Sequence, residues 1–265
     1  MAMKILVGTA GIPGSSSERT TLGGIRRVAE LGLHSMEVEF VRGVNMSPAL
    51  ALAAGKAARE AGVKLSVHAP YYINLCNPEK AKDSMKRIID SCHRGHLMGA
   101  EVIVFHPGYY GKLSKEDAFE MVSGACREMA EALEDNGFLV KLGLETTGKT
   151  SQFGTVDEIL RICDENKHCV PVIDWSHIFA KYQGKVDFRS VLAKVTDASF
   201  RKIHTHFSGI EFTEKGERRH LPIDSRQPDF SEVAKVILGS NLKEINIISE
   251  SPALEHDALE MKRIL

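Results

Sequence analysis

The stretch VPVIDWSH, residues 170–177, is apolar and β-branched, and it ends on an acid followed three positions later by a histidine. It reads as a buried strand whose C-terminal end delivers Asp174, with His177 just beyond. Working outward, the same pattern recurs. KLSVHAP (64–70) ends on His68, EVIVFHPG (101–108) on His106 and KLGLET (141–146) on Glu145. RKIHTHF (201–207) carries His204 and His206, and INIISES (245–251) ends on Glu250. In a parallel α/β barrel every strand C-terminus points to one face, where active sites lie, so residues far apart in the chain would converge in one pocket.

The rest of the chain fits that architecture. Strands are expected near 4–8, 35–40, 64–68, 101–106, 140–145, 170–174, 201–206 and 244–250. Helical patterns fall between them, at 20–31, 48–61, 80–98, 115–136, 155–165, 187–196 and 230–239, with a last one at 256–264. The segment from Ser47 to Gly62 shows why: Ser47 can cap, Pro48 suits the first turn and Gly62 suits the exit. Alternation of this kind implies a parallel sheet. The expected fold is an α/β (β/α)8 TIM barrel, one domain over 1–265, with a metal site at the C-terminal face of its strands. An open doubly wound sheet is the alternative, but no GxGxxG opens a helix. The longest irregular stretch, 206–229, follows the seventh strand on the active face, where long loops carry function.

Composition is that of an ordinary globular protein, 43% hydrophobic and 26% charged. No apolar run approaches the ~20 residues of a membrane span. MAMKILVG enters a strand directly, so no signal peptide is expected. The five cysteines form no CxxC pair, which argues for structural thiols in a reducing, cytoplasmic setting. Net charge is −1, giving no global pull towards nucleic acid. Positive potential for such a partner would have to be local, supplied in part by bound metal ions.

Histidines and carboxylates in this number suit zinc, with manganese possible. Glu145 would sit centrally, with two oxygens able to bridge two metals. Asp174 and His177 could face neighbouring metals. His204 and His206 share one strand face, one as ligand and the other as its support or as a structural residue.

The series HAPYYINL (68–75), FHPG (105–108), GLET (143–146), IDWSHIFA (173–180), IHTHFSG (203–209), RRHLP (218–222) and SESP (249–252) resembles the motifs of endonuclease IV. That family comprises trinuclear-zinc apurinic/apyrimidinic endonucleases on a xylose isomerase-like barrel, and the resemblance runs from about residue 4 to 255. It implies one zinc on His68, His106 and Glu145, and a second on Glu145, Asp174, His204 and Glu250. His177 and His220 would belong to the third. There the family also uses an Asp two residues before the last His, where this chain has Arg218; Glu217 and Asp224 are the nearby substitutes. Two or three zinc ions are therefore expected. The implied activity is cleavage of the phosphodiester 5′ to an abasic site in double-stranded DNA, with 3′-blocking groups as further substrates. A metal-activated hydroxide would attack, with Glu145 as the catalytic group that orients it. The family flips the abasic sugar out beside inserted side chains. Tyr71 and Tyr72 hold the matching positions as wedges, Asn74 could meet a phosphate or cap the turn, and Arg218 and Arg219, with Lys215, could meet the backbone. No obligate protein partner is evident and a monomer is expected.

Two other classes compete. A sugar isomerase or epimerase on the same barrel needs one divalent metal on a Glu–Asp–His–Glu set, which Glu145, Asp174, His204 and Glu250 satisfy; Trp175 could line its pocket. His106, His177 and His220 would then have no ligand role. A non-catalytic metal-binding barrel is the third, supported by Arg218 at a ligand position.

Overall fold

The computed structural model describes residues 3–265. Eight parallel strands close into a barrel: β1 (Lys4–Ala10), β2 (Ser35–Glu39), β3 (Lys64–His68), β4 (Val102–Phe105), β6 (Lys141–Glu145), β8 (Cys169–Asp174), β9 (Lys202–Phe207) and β12 (Glu244–Ser249). Each pairs with the next and β12 closes on β1. Helices follow the strands: α1 (Thr21–Glu30), α2 (Pro48–Ala61), α3 (Pro78–Met98), α4 (Lys115–Asp135), α5 (Val156–Glu165), α6 (Trp175–Lys181), α7 (Phe188–Asp197), α8 (Phe230–Leu238) and α9 (Glu255–Ile264). The (β/α)8 barrel expected from the sequence is the fold observed, and among the described residues no helix is long and apolar enough to cross a membrane. All five cysteines are buried and free of disulfides.

Local chemistry sets the boundaries. Ser47 accepts from Leu50 N and Gly62 closes α2 at φ 68°, as its residue types dictate. Thr155 and Glu158 form a reciprocal capping box on α5. The core lies between barrel and helices, where Phe207 packs edge-on against Phe230 at 4.7 Å. Trp175 is fully buried, edge-on to Phe188 at 5.9 Å. It packs the barrel and does not line a pocket.

Two features depart from the expected pattern. The 206–229 stretch is largely ordered into an antiparallel hairpin, β10 (Gly209–Thr213) and β11 (Gly216–Leu221), followed by a short 3-10 turn. The short helix α6 begins directly after Asp174, whose Oδ1 accepts from His177 N at 2.7 Å. This cap gives Asp174 a structural task beside any chemical one. A smaller ribbon joins β5 (Gly108–Tyr109) to β7 (Gln152–Phe153) beside the site.

The hairpin is clamped over the barrel mouth. Glu217 N donates to Gly148 O at 3.0 Å and Thr150 N to Lys215 O at 3.2 Å. Gly216 makes this possible: its φ is 92° and a Cβ there would lie 2.2 Å from Gly148 O.

Candidate metal centre

Six strands bring their terminal residues to one centre. Glu145 is fully buried at its middle, and its two oxygens face opposite ways. Oε2 lies 3.1 Å from His68 Nε2 and 2.8 Å from His106 Nε2. Oε1 lies 3.1 Å from His177 Nδ1 and 3.2 Å from His206 Nδ1. Pro107 follows His106 and cannot extend the strand ladder, and β4 stops at Phe105. Glu250 Oε1 is 3.3 Å from His206 Nδ1. Donor atoms lie close enough to share an ion in the sets His68–His106–Glu145, Glu145–Asp174–His206–Glu250 and His177–His220–Glu250, and, one layer deeper, in Glu37–His204–His206.

His206, not His204, joins the carboxylates. The register explains the difference: Asp174 pairs with His206, whereas His204 pairs with Val172 and Asn246, one layer deeper in the barrel. Both imidazoles point inward, as i, i+2 residues must. His204 Nε2 meets Glu37 Oε2 at 2.9 Å.

The Arg218 question resolves through a β-bulge. Glu211 pairs with Arg219, but the next residue, Phe212, pairs with Glu217, so Arg218 is an extra residue in β11. Both Arg218 and Arg219 turn outward to the Glu211 carboxylate, at 2.5 Å each. Glu217 takes the inward place, 3.5 Å from His177 Nε2 and 4.0 Å from His220 Nε2. Asp224 lies away from the centre, exposed on the 3-10 turn.

The hydrogen bonds test whether these residues suit metal ions. A carbonyl oxygen only accepts, so His68 Nδ1 carries a proton donated to Ala69 O at 2.9 Å. His177 Nδ1 likewise donates to Thr146 O at 3.0 Å. The Ser208 hydroxyl gives its proton to Gly209 O and so accepts from His220 Nδ1 at 2.8 Å. Each ring is thus oriented from behind, and its Nε2 faces carboxylates. Outer partners of this kind orient metal-ligating histidines. His177 Nε2 and Asp174 Oδ2 are buried without any hydrogen-bond partner. Orphaned buried polar atoms are costly, and these aim into the cluster. The donor set fits divalent metal ions.

Electrostatics agree. Burial works to raise the Glu145 carboxyl, but the His106 and His206 imidazoles more than offset it and hold the group well below the usual range. Burial lowers His68, yet its bond to Glu145 and the nearby carboxylates push it up to about 10. Burial drives Glu250 well above the ordinary carboxyl range. The cluster calls for positive charge, which protons or metal ions can meet.

A cavity of about 350 Å³ opens over the centre, lined by His68, Tyr71, His106, Lys149, Glu217 and Glu250 among others. Tyr71, 58% exposed, lines it, and Tyr72 beside it in the chain is 65% exposed. Asn74 is committed elsewhere: its Oδ1 accepts from Cys76 N at 3.2 Å and Tyr109 N at 3.1 Å, holding the loop that shapes the wall. The glycine-rich loop after β1 is closed by its own chain, Gly14 N and Ser15 N donating to Glu255. Sequence reading missed Glu37, whose burial inside a strand marks it only once the barrel is closed.

The closed barrel and its carboxylate–histidine centre define a class, and the comparisons agree: the chain belongs to the xylose isomerase-like TIM barrel family, whose model matches residues 25–264. It is 38% identical to an uncharacterised protein of Methanocaldococcus jannaschii, over 96% of this chain and 94% of the relative. It is 29% identical to a probable endonuclease 4 of Mycoplasma mobile, over 75% of this chain and 72% of the relative. Among solved structures it resembles a D-tagatose 3-epimerase-like protein (TM-score 0.72, 21% identity, 99% and 95% of the two chains). Endonuclease IV from Thermus thermophilus is as similar (TM-score 0.71, 18% identity, 99% and 97%). At such identities these two likenesses speak for the fold alone.

Proposed function

We propose that this protein is a multinuclear metal-dependent phosphodiesterase of the endonuclease IV type, acting on damaged double-stranded DNA 5′ to abasic sites. One observation carries the reading: His106, His177, His220 and Glu217 converge on the Glu145 centre, beyond the four ligands a single-metal enzyme uses. The Mycoplasma mobile relative supports it by name.

His68, His106 and Glu145 would hold one ion, Glu145, Asp174, His206 and Glu250 a second, and His177, His220 and Glu217 a third. Zinc suits the imidazoles, and manganese the carboxylates. Such ions supply Lewis acidity and lower the pKa of a coordinated water. The chain's own residues do the positioning. Glu145, with a carboxyl held deprotonated by the surrounding imidazoles, aligns the attacking water between the two halves of the centre. Lys149, on the cavity wall, offers its ammonium to a phosphate. The exposed rings of Tyr71 and Tyr72 act as wedges beside the lesion.

A sugar epimerase is the second reading, favoured by the Glu145–Asp174–His206–Glu250 set and the epimerase-like structural neighbour. Elemental analysis on one sample, paired with incision of a duplex holding a single abasic site, separates them. Two or three metals per chain with 5′ incision supports the endonuclease. One metal, an intact duplex and turnover of a ketose sugar would sink it.

A further inference from the structure

Below the centre, inside the barrel, lies a chain of buried polar side chains that the proposed chemistry does not use. Glu37 projects inward from β2 and is fully buried. Its Oε2 accepts from Ser66 Oγ at 2.7 Å and from His204 Nε2 at 2.9 Å. Its Oε1 lies 2.9 Å from His206 Nε2, off the line of a formed hydrogen bond, and both atoms are buried without a hydrogen-bond partner. His204 is fixed in turn. Ser35 Oγ donates to Asn246 Oδ1 at 2.6 Å, which leaves the Asn246 amide nitrogen to face His204 Nδ1 at 3.2 Å. An amide nitrogen only donates, so His204 Nδ1 accepts and Nε2 carries the proton given to Glu37.

The consequence falls on His206. His206 has carboxylates at both ring nitrogens, so once Nδ1 serves an ion the proton of the neutral ring must sit on Nε2, where Glu37 Oε1, 2.9 Å away, is the acceptor placed to hold it. The Nδ1 lone pair then points at Glu145 Oε1, 3.2 Å away, and Glu250 Oε1, 3.3 Å away. Three acceptors converging on one point repel one another unless a proton or a metal ion sits among them. We infer that Glu37 is a positioning residue of the metal centre: it sets the tautomer and ring plane of His206, and His204, Ser66 and Asn246 exist to hold Glu37. His204 is then the support of a support and no ligand. Carboxylate–histidine–metal arrangements raise ligand basicity, and their loss costs roughly 10- to 100-fold in metal affinity.

The inference rests on the metal-centre part of the proposed function but not on its substrate. Its test is metal affinity by chelator competition, with Co2+ as a spectroscopic probe in the full-length protein. Glu37→Gln keeps shape and removes the charge. It is expected to weaken binding roughly 10- to 100-fold, shift the Co2+ visible bands and leave the number of ions at saturation unchanged. Ser66→Ala, which removes one donor to Glu37 and endangers folding less, should weaken binding a few-fold in the same direction. Wild-type affinity and bands in both variants would overturn the idea. So would the loss of one whole metal equivalent that excess metal does not restore, since Glu37 would then be a ligand. A protein that binds metal and responds to Glu37→Gln, yet leaves abasic DNA intact, would refute the endonuclease reading and leave this inference standing.

Discussion

The two halves of the centre are built differently. On one side, His68, Glu145, Asp174 and His206 end or lie within barrel strands, with side chains 0–3% exposed, and His106 and Glu250 follow just past their strands at 26% and 15%. On the other, Glu217 and His220 come from a hairpin laid over the mouth, 16% and 28% exposed. The strand half is fixed by the ladder: a residue's layer follows from its register, and moving it means breaking the barrel. The hairpin half is fixed by a clamp on the Gly148–Thr150 loop and by one bulge. Rigid strands set the shared carboxylate, whereas the hairpin can change ligand identity without disturbing the fold.

Removing the shared group is the hardest blow to this contrast. Glu145→Gln should cut incision by about 10³-fold and empty both halves of metal, while binding to abasic duplex, read by fluorescence anisotropy, largely survives. Loss of binding with intact cleavage would refute the role. A smaller loss is expected from Glu217→Ala, which should remove only the hairpin ion: one metal fewer by elemental analysis and a rate lower by roughly 10- to 100-fold, with melting temperature nearly unchanged. An unchanged metal count would show that Glu217 is not a ligand.

Stripping the metal should expose the strand half through pH. His68 in the folded protein sits at about 10 against an ordinary 6.5, because Glu145 and its neighbours favour the charged ring once burial is overcome. A raised pKa stabilises the fold fully below pH 6.5, and that contribution is lost as pH climbs to about 10. The metal-free protein should therefore melt at progressively lower temperature over that window, and the metal-loaded protein should hold steadier. Parallel curves would contradict the account.

The mildest change sharpens the comparison most. Arg218→Ala should leave metal count and activity within about 3-fold and stability within about 0.5 kcal/mol, since its guanidinium is an exposed partner of Glu211. Deleting Arg218 outright should also spare the hairpin ion, because Glu217 and His220 would become i, i+2 and share a face of a regular strand. Replacing Arg218 with Asp should add no ligand, as that side chain faces away. Metal loss in the deletion variant would show that the bulge does more than absorb one residue.

Much of the molecule was legible in the amino-acid sequence. Alternating strand and helix patterns, with caps such as Ser47 and Gly62, determined a (β/α)8 barrel, because those signals are local and repeat along the chain. His68, His106, Glu145, Asp174 and Glu250 were legible too, as polar residues closing apolar strands have few places to go but the C-terminal face. What the tertiary structure decided was everything that depends on which residues stand side by side. His204 and His206 share a face, and only pairing with Asp174 shows that His206 reaches the centre. Arg218 occupies the expected ligand position by counting, and only the bulge hands that place to Glu217. Glu37 looks like an ordinary strand residue until the closed barrel buries it against His204 and His206. Spacing along a chain encodes periodicity; register, bulges and closure arise from pairing between distant segments, and no single segment carries them.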